Sequence, residues 1–176
     1  MTRLSMKPIQ DFKGNEMRWY STGLARWNNE LLGTDGETYA TLVWKGVLMN
    51  KAIGSCAKGD YQFKWAGFVR RHVPIVEMST GKEIGKLSLG LFDSGWLQME
   101  NGRRYQFKQI GWKSRWSFFD DLGEKQCTLA FRSWASRGGD AIIAVNATLN
   151  PDLPILLLLG WYAMNMMNAE AIAYVS

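Results

Sequence analysis

Asn150-Pro151-Asp152-Leu153-Pro154-Ile155-Leu156-Leu157-Leu158-Leu159-Gly160-Trp161-Tyr162-Ala163-Met164 is the stretch on which the reading of this chain turns. Asn150-Pro151-Asp152 is a helix-start signal: it offers capping side chains, and proline fits a first turn, where the backbone N–H has no helical partner. Everything from Leu153 to Met164 is then apolar on every face, and a helix of that kind is buried in a protein core or in a membrane. The uninterrupted apolar run, residues 153–164, is 12 residues long, whereas a bilayer span needs roughly 20. Polar Asn165, Asn168 and Glu170 follow, and no Lys or Arg after Arg137 is present to anchor or orient a span. The expectation is a helix over about 151–173, on the order of 30 Å long, that needs neighbours on all sides and finds them in the chain's own sheet.

The rest of the chain supplies that sheet. Nine Trp, eight Phe and six Tyr favour pleated surfaces, and 18 Gly with only four Pro suit tight turns between short strands. Turn signals recur at Thr34-Asp35-Gly36, Lys58-Gly59-Asp60, Ser79-Thr80-Gly81, Asp93-Ser94-Gly95, Asn101-Gly102, Leu122-Gly123 and Gly138-Gly139-Asp140. Short strands at this spacing indicate an antiparallel sandwich or barrel. Asn101-Gly102 suits a two-residue type I′ hairpin turn, which would set Glu100 opposite Arg103, Gln98 opposite Tyr105 and Trp96 opposite Phe107. There is also an internal echo: Tyr61-Gln62-Phe63-Lys64 recurs as Tyr105-Gln106-Phe107-Lys108, Gly67 answers Gly111, Arg71 answers Arg115, and residues 81–87 answer 123–129. Each copy reads as strand, turn, strand, turn, strand.

A barrel threaded by an apolar C-terminal helix resembles the tubby C-terminal-like superfamily, which includes tubby domains, LURP-one-related proteins and phospholipid scramblases. The resemblance is carried by the turn-rich strands over residues 38–147, by Tyr61 to Gly67 followed by Val73 to Met78 and Thr80-Gly81-Lys82-Glu83, and by the helix at 151–173. It implies a single domain over residues 1–176, mainly β: a closed antiparallel barrel of about 12 strands, spanning about residues 15–147, around the buried apolar helix. With the interior filled, no lipocalin-type cavity is expected. The sequence departs from the family by lacking the closing motif of tubby domains, the Pro-rich start of scramblases and their calcium-loop-like acidic segment.

Catalytic chemistry finds little support. His72, the single histidine, lies beside Arg70 and Arg71, which oppose its protonation. Any Ser-His or Cys-His arrangement must use it, so a hydrolase with a hidden site including His72 is the one enzymatic alternative. One His and two separated Cys make no zinc set, no phosphate loop is present, and no cofactor is expected. Cys56 and Cys127 form no CxxC pair, and Met1-Thr2-Arg3-Leu4-Ser5 lacks an apolar segment. Both point to a cytoplasmic protein with reduced thiols, peripheral at the membrane if it meets one.

Charge is the remaining signal. The net charge is +5, but residues 61–137 hold 13 cations and 7 anions, while residues 138–176 hold three anions and no Lys or Arg. A positive field in the middle of the chain favours anionic partners. Arg70, Arg71, Arg103, Arg104, Lys108, Lys113 and Arg115, interleaved with Tyr105, Trp112 and Trp116, are the candidate anion- or headgroup-binding residues. The expected function is a non-enzymatic binding module that meets anionic phospholipid or phosphoinositide headgroups, or a protein partner at the membrane surface. Single-stranded nucleic acid stacked on the rings is the third reading.

Overall fold

Burial alternates with a period of two along the extended segments. In Glu16–Thr22, for example, Met17 and Trp19 point inward while Glu16, Arg18 and Tyr20 face solvent. The structure, a computed structural model, describes residues 5–22, 28–46, 48–90, 93–111, 114–132 and 138–175. It contains β1 (Glu16–Thr22), β2 (Asn28–Gly33), β3 (Thr38–Lys45), β4 (Lys51–Cys56), β5 (Gly59–Lys64), β6 (Arg71–Glu77), β7 (Lys82–Leu89), β8 (Gly95–Met99), β9 (Arg104–Gln109), β10 (Arg115–Asp120), β11 (Lys125–Phe131), β12 (Gly139–Ile143) and the helix α1 (Leu153–Val175). Each strand pairs antiparallel with its neighbours in sequence, and β1 pairs with β12, so the twelve strands close into a barrel. Closure leaves no sheet edge. Register shifts at Leu31/Leu32, Ile75/Val76 and Phe118/Phe119 add local twist that helps the sheet curl.

The expected barrel around a central helix is therefore present. Inward side chains such as Leu42, Phe63, Ile75, Leu97, Phe107 and Phe118 are fully buried. They meet Leu156, Leu157, Leu158, Leu159, Trp161, Tyr162 and Met164 of α1, also fully buried and distributed around the whole helix. Over Leu153–Ala173 the helix is long and apolar enough to cross a membrane, yet most of that stretch is sheathed by the strands. Polar atoms on its rings find partners in the wall. Trp161 Nε1 donates to Asn29 Oδ1 at 3.1 Å, and the Tyr162 hydroxyl donates to the Asn50 carbonyl. Trp161 also stacks on Trp19 with ring centroids 5.5 Å apart.

Both ends of the helix are fastened. At its start, the Asp152 carboxylate accepts from the Tyr105 hydroxyl at 2.8 Å and from Arg103 Nη1 at 3.2 Å, and Asn150 Oδ1 accepts from the Asp152 N–H at 2.9 Å. This is the lower rim, where the chain also folds Ile9 and Phe12 into the core. At the opposite, upper rim, Glu170 accepts from Trp65 Nε1 at 2.7 Å and from Arg71 Nη1 at 3.3 Å.

The hairpin at Asn101-Gly102 differs from expectation by one residue. Gln98 faces Arg104, Leu97 faces Tyr105 and Trp96 faces Gln106. Only Gly102 of the dipeptide has positive φ, 87°, and Met99 N–H bonds to the Arg103 carbonyl. The connection is thus a three-residue loop with a left-handed glycine in place of the two-residue type I′ turn. Asn101 uses its side chain instead, accepting from the Arg103 N–H at 3.0 Å. The slip keeps Tyr105 and Phe107 inside the barrel, where burial outweighs the turn preference. The echo does map onto corresponding elements, β5–β7 and β9–β11, with Gly67 and Gly111 both at positive φ.

Where the wall and helix approach most closely, there is no room for a methyl group. A Cβ on Gly139 would lie 2.3 Å from Trp161 Cζ3 and 2.5 Å from the Ala130 carbonyl oxygen. Gly139→Ala should cost about 2 kcal/mol, read as a lower urea midpoint at unchanged slope. Burial pushes the Tyr61 and Tyr105 hydroxyls up to about 12, and raises Tyr39 and Tyr162 as well. Unfolded tyrosines ionise near ~10, so this stabilisation is complete below that pH and is lost as pH climbs through the folded values. Tyrosinate absorbance and loss of near-UV circular dichroism should appear together in an alkaline titration.

Candidate functional site

The seven basic candidates do not share one face. Arg103 is committed to Asp152 at the lower rim, 3.2 Å away. Arg71 is only 12 % exposed and bonds Asp93 at 2.7 Å, Glu170 at 3.3 Å and the Gly90 carbonyl at 2.6 Å. Both hold the fold together. Lys113 and Trp112 lie outside the described residues. Tyr105 and Trp116 are core side chains, at 2 % and 8 % exposure, so they offer no ring to a ligand. Arg70, Arg104, Lys108 and Arg115 remain at the surface.

Cross-strand register shows what those cations stand beside. On the outer face of the barrel one row runs His72, Ser88, Trp96, Gln106, Phe119, Lys125 across β6 to β11. The row next to it runs Pro74, Lys86, Gln98, Arg104. Neither row contains Asp or Glu, and Lys86, Arg104, Lys108 and Lys125 form no ion pair among the described residues. Both rows are neutral or positive along their whole length. Their two rings are covered by cations: the Arg104 guanidinium sits 4.7 Å from the Trp96 centroid and Lys108 Nζ 4.5 Å from that of Phe119.

The upper part of this face forms a cleft of about 530 Å³, in the size range of small-ligand sites. Arg70, His72, Lys86, Ser88, Trp96 and Gln106 line it, together with Arg71, Gly90, Ser94 and Gly95. Guanidinium, ammonium, hydroxyl and amide donors converge there, and a phosphate is the group they suit. His72 Nδ1 lies 3.2 Å from the Arg70 carbonyl oxygen, and among the described residues no hydroxyl, thiol or carboxylate bonds its ring. Cys56 and Cys127 are free thiols buried on the inner side of the wall, and burial pushes both up, Cys127 to about 12. They face away from His72. Among the described residues no group of three or more His, Cys, Asp or Glu could hold a metal ion.

A second cleft, of about 430 Å³, opens at the lower rim between Arg103, Arg104, Asp120, Asp121 and Asn150. Its carboxylates oppose an anion, and Asp120 is already used by the N–H groups of Leu122 and Glu124 and by Gln126. The upper cleft is the better candidate. Lys86, Ser88, Trp96 and Gln106 were not among the sequence candidates, because they become neighbours only through register. Strand parity marks Lys86 and Ser88 as outward, but which strands flank them is not a local property. No family model matches this chain, and neither a curated protein nor a solved structure is similar to it.

The adjacent arginines give a direct test of these assignments. Arg71→Ala strands Asp93 and Glu170 and should destabilise the protein by about 2 kcal/mol, whereas Arg70→Ala should change stability by less than about 0.5 kcal/mol. Urea unfolding of the two variants side by side measures the difference.

Proposed function

We propose that this protein is a non-enzymatic module that binds phosphate-bearing lipid headgroups on an anionic membrane surface through the cleft between β6 and β9. The single observation behind it is the convergence of Arg70, His72 and Lys86, with Ser88 and Gln106 as neutral donors, on a cleft whose two cross-strand rows carry no carboxylate. A phosphorylated headgroup is small enough for such a cleft and supplies the negative charge that its lining lacks. Arg104, Lys108 and Lys125 extend the positive field of the cleft along the barrel wall. The barrel with a threaded helix is also the architecture that the resemblance to tubby-like proteins implies.

Nucleic acid fits less well. Single-strand binders stack bases on open rings, and here Trp96 and Phe119 already carry Arg104 and Lys108 over their faces.

Flotation with phosphatidylcholine vesicles, with and without phosphoinositide, tests the proposal. Binding should require the anionic lipid and weaken steadily with salt, and Lys86→Ala should reduce it about fivefold, on the order of 1 kcal/mol. Absence of binding even at low ionic strength would remove the proposal.

A further inference from the structure

The two rims of the barrel differ in which charges stay unpaired around their exposed apolar turns. At the upper rim, Leu48 tips the β3–β4 connection at 83 % exposure, and Phe68 and Val69 tip the β5–β6 connection at 75 % and 67 %. The backbone fixes these tips through left-handed residues, Gly46, Met49 and Gly67 at φ of 82°, 50° and 82°. A Cβ at Gly67 would lie 2.3 Å from the Arg70 carbonyl oxygen, so that turn requires glycine. Methionine at positive φ is uncommon, and Met49 holds it directly beside Leu48.

Behind the tips lies a row of like charge. Lys45 faces Lys51, and Lys51 faces Lys64, on three neighbouring strands. Like charges directly opposite destabilise a sheet, and none of the three has an ion-pair partner among the described residues. The rim's described carboxylates are already used, Asp93 and Glu170 by Arg71 and Asp140 by Arg132. The lower rim also exposes apolar side chains, Leu122, Val145 and Leu149. There, however, Asp120, Asp121 and Glu124 stand around them in sequence and would repel an anionic surface.

We infer that the upper rim is the membrane-docking edge: Leu48 and Phe68-Val69 enter the boundary between headgroups and acyl chains, and Lys45, Lys51 and Lys64 sit at the height of the phosphates. The inference rests on the membrane-binding reading above and adds its orientation. Apolar tips ahead of unpaired cations match the order of layers in an anionic bilayer, hydrocarbon beneath phosphate. A nucleic acid would satisfy the lysines and leave the tips in water.

Because Cys56 and Cys127 are buried, single cysteines placed by Leu48→Cys, Phe68→Cys and Leu122→Cys can each carry a polarity-sensitive fluorophore. Vesicles of about three parts phosphatidylcholine to one of phosphatidylserine serve as the anionic surface. On binding, the labels at positions 48 and 68 should shift to the blue and be quenched by brominated acyl chains, while the label at 122 does neither. Replacing Lys45, Lys51 and Lys64 by Gln together should lower vesicle partitioning about a hundredfold, roughly fivefold per lysine. If the unlabelled protein floats with vesicles but the labels at 48 and 68 stay in water, the docking edge is overturned and the cleft reading survives. If the unlabelled protein does not float at low salt, both fall. If an oligonucleotide displaces it from vesicles and no label shifts, the lysine row belongs to nucleic acid and the docking edge is overturned.

Discussion

A closed sheet of twelve strands encloses more space than its own inward side chains can fill. Eight strands make a lumen that side chains just occupy, and diameter grows roughly linearly with strand number. A helix with its side chains is about 10–12 Å across, and α1 is the insert that makes this barrel a packed solid. Each part needs the other. The helix is apolar on all faces and would aggregate or enter lipid if bare, and the wall would surround an apolar void. Gly139 and Gly160 show how tight the fit is, since a methyl group on either would run into the facing side chains.

Filling the lumen also decides where function can reside. With the interior taken by Leu156 to Met164, ligands are left with the outer wall and the two rims. Arg71 joins these regions, because the same guanidinium holds Glu170 at the end of α1 and Asp93 in the connection that borders the upper cleft. Its counterpart in the internal echo, Arg115, is exposed and forms no ion pair among the described residues. At corresponding places of the echo, one arginine locks the helix and the other lies at the surface.

Architecture was legible because it rests on patterns of many residues: the all-round apolar run after Asn150, the period-two alternation and the recurring turns. The helix end points and the twelve-strand closure follow from them within a few residues. The register at Asn101-Gly102 was not, since dipeptide preference is weaker than the demand that Tyr105 and Phe107 face the core. The basic site was legible only in part. Counting cations between residues 61 and 137 located the positive field, but the count could not separate Arg71 and Arg103, tied to acids far away in sequence, from Arg70 and Arg104, which are left at the surface. Lys86 and the row of Lys45, Lys51 and Lys64 emerge only when strands are laid side by side.

The order of elements along the chain has a consequence for biosynthesis. The core helix is translated after every strand that surrounds it, and β1 must wait for β12 before the wall can close. A nascent chain with all its strands made still has a hollow, greasy interior, and pairing between such distant segments is slow. A premature stop shortly before Leu153 would leave a wall with no core, its apolar inner face open to aggregation and proteolysis.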